Sequence, residues 1–294
     1  MTTQRFPFAA AAAGLLLWAG LVLGLGSHDL SISRAAANPA SPWARWFEVY
    51  GEHPAILLVW ISGQLLFSSA RLLSCRLRLL QQVPAALVQL AAGLALVHMT
   101  TARALHQELT ASGWALAALL LLAAAIIVQL LLRRVSANRL ARFNQAAWLT
   151  LLLVGGELAL VHSLKWIWGR VRFRDLLPGY TDYTPWHMPM GPTGNRSFPS
   201  SHAANSWTLV LLPVYASAAL ARPAVIRTAW AAALLWASAT SYSRLVAGAH
   251  YASDLLFGTG ITLALFLALR HLLSERPGVV PPRLAIRQEK DLRS

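Results

Sequence analysis

Charge is what this sequence has least of. Only 12% of its 294 residues are charged and 56% are hydrophobic, whereas an ordinary soluble domain carries about 25% charged residues. That excludes a soluble globular chain and points to a membrane protein. Acidic residues are scarcer still, with 11 Asp and Glu against 25 Lys and Arg, a net charge of +14. Such an imbalance can mark a nucleic-acid partner. Here the arginines are scattered over short loops between apolar runs, so positive-inside topology accounts for them and no nucleic acid is expected. The single cysteine, Cys75, excludes an intramolecular disulfide, and its basic loop marks it as an inert cytoplasmic thiol. Period-2 alternation is missing too, which excludes a barrel, and there is no fixed-period repeat.

Long apolar runs are what the sequence has instead. A helix crosses the hydrocarbon core with about 20 apolar residues. Eight runs qualify, at 8–26, 54–72, 84–100, 113–132, 147–166, 203–221, 225–242 and 254–273. The expected fold is therefore all-α, a polytopic transmembrane bundle of eight spans. The first run is long for a secretory leader, and its small residues Ala35–Ala37 lie well beyond it, so it reads as an uncleaved span. Basic turns at 71–78, 133–142 and 222–227 and the tail fall on one side, the cytoplasmic one. The segments 27–53, 101–112, 167–202 and 243–253 then share the outer side. The division expected is four N-terminal spans in 1–146, a catalytic region in 147–273 and a cytoplasmic tail in 274–294.

On that outer side cations break the positive-inside trend. Lys165, one of two lysines beside 23 arginines, ends the fifth run, and Arg172 follows seven residues later. On a continuing helix the two share a face two turns apart, able to grip different oxygens of one phosphate. Arg170 and Arg174 then point elsewhere, to headgroups or solvent. Pro199-Ser200-Ser201-His202 precedes the sixth run, where helix capping is the plain reading and an anion site with Ser200 and Ser201 as donors is the functional one. His202 stands where it can protonate a leaving oxygen. Ser243-Arg244 leads to His250 and Asp254, spaced i, i+4, so that the carboxylate orients the imidazole. Taken alone, that pair reads equally well as a structural stitch.

Together the pieces describe a phosphoryl-transfer site in which His250 attacks phosphorus, His202 protonates the departing oxygen and Lys165, Arg172 and Arg244 neutralise the equatorial oxygens. No metal and no cofactor is expected. Glu157, His162 and His98, unusual at membrane depth, are expected in helix–helix hydrogen bonds.

These residues resemble the three motifs of the type 2 phosphatidic acid phosphatase (PAP2) superfamily of integral membrane lipid phosphatases. Ser243, Arg244, His250 and Asp254 match the third motif in full. Lys165 and Arg172 match the first, with Phe173 where proline is usual. Pro199, Ser200 and His202 match the second, with Ser201 where glycine is usual. The resemblance covers about the last 130 residues. It implies His250 as nucleophile, His202 as general acid, Asp254 as orienter, the other motif residues as phosphate ligands and a six-helix catalytic core. Phe173 is expected to add apolar bulk near the lipid.

An outward-facing site at membrane level suits a lipid phosphate with its tail in the bilayer, in the inner membrane of a bacterium. The substrate class includes phosphatidic acid, phosphatidylglycerophosphate, undecaprenyl pyrophosphate and lipid A phosphates. The loop 176–195, with Tyr180, Tyr183, Trp186, His187, Met188 and Met190, reads as an aromatic belt or as a headgroup cover. Two alternatives stand beside the phosphatase: a phosphotransferase with the same phosphohistidine, and a non-catalytic lipid transporter or binding protein.

Overall fold

The structure, a computed structural model, describes residues 8–275. Eleven α-helices follow one another: α1 (Phe8–Gly26), α2 (Asp29–Ala36), α3 (Pro42–Tyr50), α4 (His53–Ser69), α5 (Cys75–Met99), α6 (Ala111–Arg133), α7 (Ala137–Trp168), α8 (Ser201–Trp207), α9 (Leu212–Ala219), α10 (Pro223–Val246) and α11 (Ala252–Glu275). No strand occurs among the described residues. Most of the cytoplasmic tail expected from 274 onward lies outside them.

Five helical stretches are long and apolar enough to cross a membrane: Pro42–Leu72, Cys75–Arg103, Ala111–Arg133, Ala137–Asp175 and Ala252–Leu273. A sixth is reached if α1 and α2, bent by 73°, count as one. Two of the eight expected spans, 203–221 and 225–242, are not among them. The first turns of α8 carry Ser201, His202, Asn205 and Ser206, and α10 carries Arg227, Thr240, Ser243 and Arg244. Ser206, Thr240, Ser243 and Arg244 are buried, so protein rather than lipid surrounds these polar groups.

Three joints place the site. Leu58, Leu149, Leu153, Val210, Leu211 and Phe266 form the core in which α4, α7 and α11 meet the turn between α8 and α9. The indole of Trp18 on α1 donates to Leu256 O on α11 at 2.8 Å. Gly260 permits this approach, because a Cβ there would lie 2.6 Å from Trp18 Nε1. The bend after α1 then turns Asp29 inward beneath the start of α11. The third joint is aromatic: Trp46 and Phe47 of α3 pack edge-on against Trp236 of α10, and Trp236 Nε1 donates to Gly51 O at 2.9 Å. It holds the α3–α4 junction, with Glu48 and Glu52, against α10.

Helix α7 relates the two ends of the bundle. Its 32 residues extend about 48 Å at the α-helical rise. Its N-terminal end meets the basic turns, where Arg71 donates to Val135 O at 2.6 Å. Its C-terminal end carries Lys165.

Candidate active site

A left-handed residue ends α7. Gly169 has φ 51°, and its N–H bonds to Lys165 O at 3.1 Å. A Cβ there would stand 2.0 Å from Gly191 O, so the turn requires glycine. The chain therefore leaves the helix before Arg170. The helical stripe expected for Lys165 and Arg172 is not formed, because the helix stops at Trp168. The two cations are nevertheless brought together, as both line one cavity.

The same turn corrects the expectation for Arg170, which meets neither headgroup nor solvent. Its guanidinium is buried, donating to Asp254 Oδ1 at 2.6 Å, to Asp29 Oδ2 at 3.0 Å and to Ser253 Oγ at 3.0 Å. It lies over the Tyr251 ring, 3.9 Å from the centroid. Ser253 completes the cluster through its hydroxyl and its N–H, both donated to Asp29. Three charges buried without such pairing would be prohibitively costly. Asp254 Oδ2 also accepts from Ser197 Oγ at 2.5 Å and from Tyr251 N at 3.0 Å. His250 Nδ1 lies 3.6 Å from the same oxygen, an ion-pair separation beyond hydrogen-bond length.

The cavity, about 650 Å³, opens beside this cluster. Its lining draws on all four segments assigned by the span pattern to one side: Arg45 and Glu48 from 27–53, Arg103 and His106 from 101–112, Arg172, Arg174, Arg196, Ser201 and His202 from 167–202, and Arg244 and His250 from 243–253. Arg174 was expected at headgroups or solvent and instead pairs with Glu48 at 3.5 Å. Lys165 joins them, donating to Arg196 O at 2.7 Å. Seven cationic side chains thus line one space in company with Glu48. Arg172 Nε and Arg244 Nε and Nη1 have no partner among the described residues, so donor capacity remains for an incoming anion.

Ser200 and Ser201 separate. Ser200 is the N-cap of α8, its hydroxyl accepting from Ala203 N at 3.3 Å while its own N–H donates to Asp254 O at 3.0 Å. It is fully buried and does not line the cavity, whereas Ser201 does. His202 Nε2 lies 3.3 Å from Glu52 Oε2 and 3.3 Å from Glu48 O. Burial pushes the His250 imidazole down to about 3 and the His202 imidazole down to about 4, so both are neutral at pH 7 before an anion arrives.

Four further expectations need revision. Phe173 does not face lipid: it stacks on Tyr180 at 5.7 Å and meets Tyr251 edge-on at 6.4 Å, inside the loop that folds back over the cluster. The loop 176–195 does not cover the cavity, which none of its residues lines. Tyr183 faces Arg170, and Trp186 packs on Phe257. Glu157 is buried with both oxygens unpartnered among the described residues. His162 bonds Leu158 O of its own helix at 2.9 Å, and His98 stacks on Trp114.

Sequence reasoning passed over Asp29, Glu48 and Glu52. One signal was available: an acid at the edge of an apolar run is costly unless partnered, and each of these three stands at such an edge.

An all-helical membrane protein with a cation-lined cavity, His202 and His250 among its lining, has the makings of a phosphatase acting on phosphate esters. The family comparison agrees. The model of the PAP2 superfamily matches residues 146–277, and that likeness suggests phosphatase-type activity on phosphate esters. Residues 1–145 lie outside the match. Neither the curated proteins nor the solved structures returned a match.

Proposed function

We propose that the protein is a lipid phosphate phosphatase that hydrolyses a phosphomonoester or pyrophosphate at the outer face of the membrane. The observation that carries this reading is the single cavity lined by Lys165, Arg172, Ser201, His202, Arg244 and His250, which come from separate segments. In the first step the His250 Nε2 lone pair attacks phosphorus, with Nδ1 facing Asp254. The bond to the lipid oxygen breaks, and that oxygen takes a proton from His202. In the second step water attacks the phosphohistidine, His202 takes the water proton, and phosphate leaves as the P–N bond breaks. Lys165, Arg172, Arg244 and the Ser201 hydroxyl hold the equatorial oxygens. With seven cations around the cavity, charge neutralisation needs no metal. Ser200 serves the site by capping α8, and Asp254 by fixing the loop that carries His250.

The setting supports a lipid substrate. The cavity lies where apolar helices end, so a tail could stay in the bilayer while the phosphate enters. Eight crossings, with α8–α9 and α10 as polar-lined inner spans and a six-helix core around the motifs, would put the basic turns at the other end of α7 in the cytoplasm and the cavity in the periplasm of a bacterium. The test is phosphate release from defined lipid phosphates in mixed micelles. His250→Ala should abolish it, and equal release from both proteins would overturn the enzyme reading.

A further inference from the structure

The part of the chain outside the family match reaches into the cavity. Glu52 lies at the junction between α3 and α4, far in sequence from every motif residue. It is buried, with relative exposure 8%. Its Oε2 lies 3.3 Å from His202 Nε2 and accepts from Arg103 Nη1 at 3.0 Å, and its Oε1 accepts from Asn205 Nδ2 at 3.3 Å. Both oxygens are thus held, and the carboxylate cannot swing away. His202 Nε2 has a second acceptor nearby in Glu48 O at 3.3 Å. The Glu48 carbonyl can only accept, so Nε2 carries the proton, and the Glu52 carboxylate stands at ion-pair separation from that N–H. The other nitrogen, Nδ1, has no protein hydrogen bond among the described residues, and His202 lines the cavity.

We propose that Glu52 is the positioning residue of His202: it holds the Nε2–H tautomer, so that proton donation and acceptance both take place at Nδ1. This rests on the phosphatase reading above and adds a requirement that the motifs do not contain. In the first step the imidazolium keeps Nε2–H on the Glu48 carbonyl beside the Glu52 carboxylate and gives its Nδ1 proton to the departing lipid oxygen. The neutral ring left behind presents the Nδ1 lone pair to the attacking water. No rotation of the ring is needed between steps. Asp254 and Glu52 thereby serve different histidines, one from within the family region and one from outside it.

Other charges also face His202. Glu48 approaches from α3, Arg103 from the segment after α5 and Arg244 from α10, with Lys165, Arg172 and His250 around the same cavity. Glu52 favours the protonated ring, whereas Arg103 and Arg244 oppose it. Changes at Glu52 and Arg103 must therefore act with opposite sign.

Activity against pH separates these effects. The His202 acid has to be protonated in the substrate complex, so kcat falls as pH rises through its pKa. Glu52→Gln, which keeps an amide oxygen for the ring but removes the charge, should move this alkaline limb to lower pH. Arg103→Ala should move it to higher pH. Glu52→Ala should lower kcat about tenfold or more, part of the roughly 10²- to 10⁴-fold that a positioned proton donor supplies, while KM changes little. An unmoved limb in Glu52→Gln, or shifts of equal sign in the two variants, would overturn the proposal. A second measurement needs no activity. In ¹⁵N-histidine spectra at pH 7, with the signal assigned by His202→Gln, the wild-type ring should be the Nε2–H tautomer, and Glu52→Ala, which leaves only the Glu48 carbonyl on that nitrogen, should weaken that preference. An Nδ1–H ring in the wild type, or an unchanged tautomer in Glu52→Ala, refutes the role of Glu52 whether or not a lipid phosphate is hydrolysed. Absence of phosphate release by the wild type refutes the phosphatase reading alone.

Discussion

Two of the histidines that line the cavity link site chemistry to stability. Buried and neutral in the folded protein, His202 and His250 have values near 4 and 3, against 6.5 for an ordinary imidazole. The unfolded chain therefore binds protons below pH 6.5 that the folded chain refuses, and stability is complete above 6.5 and lost as pH falls. The thermal midpoint in detergent should fall between pH 6.5 and 5, above the range in which ordinary carboxylates titrate. His250→Asn should show a smaller fall, and a flat midpoint in the wild type would contradict the burial of both rings. At this scale the motif residues were legible because their type and spacing are local. The surroundings of Arg170 were not. Its burial depends on the left-handed turn at Gly169, which requires Gly191 close by, and on Asp29, whose distance in sequence gives no cue to contact.

Helix ends, more than helix faces, assemble the site. The C-terminus of α7, the N-terminus of α8, the α3–α4 junction and the loop before α11 each deliver one or two polar groups, and the apolar lengths behind them set their positions. Helix α2 contributes in the same way through Asp29, which shares Arg170 with Asp254. Asp29→Asn removes the carboxylate charge from its buried pair with Arg170, and breaking a buried pair costs about 3–5 kcal/mol. A lowered thermal midpoint and a reduced kcat are the expected outcome, because Arg170 then pulls on Asp254 alone. Wild-type values for both would show that α2 is incidental. The long helices were legible from their apolar runs. The break between α1 and α2 and the polar interior of α8 and α10 were not, since hydropathy averages over residues whose partners lie on other helices.

For the whole molecule, sidedness is the property that function depends on, and the lone thiol offers a direct reading. Cys75 is free and exposed in the basic turn, at the end of the bundle away from the cavity. In intact cells an impermeant maleimide should leave Cys75 unmodified, while Cys75→Ser carrying Ser112→Cys should react. The reverse pattern would place the cavity in the cytoplasm. The four loops that the span pattern groups on one side do meet at one cavity, so their convergence was legible beyond the region of the motifs. What the pattern could not supply was depth: which of the charges in those loops lie at the surface and which lie beneath it.

Glu48 sets two of the cavity's arginines against one carboxylate. Its Oε1 already rests 3.0 Å from Arg244 Nη2 and 3.5 Å from Arg174 Nη1. The resting protein thus carries a tethered counter-ion on an arginine that a phosphate would use. On the proposed function, an incoming phosphate would take the place of this carboxylate on Arg244, and the same carboxylate would be at hand to take it back when phosphate leaves.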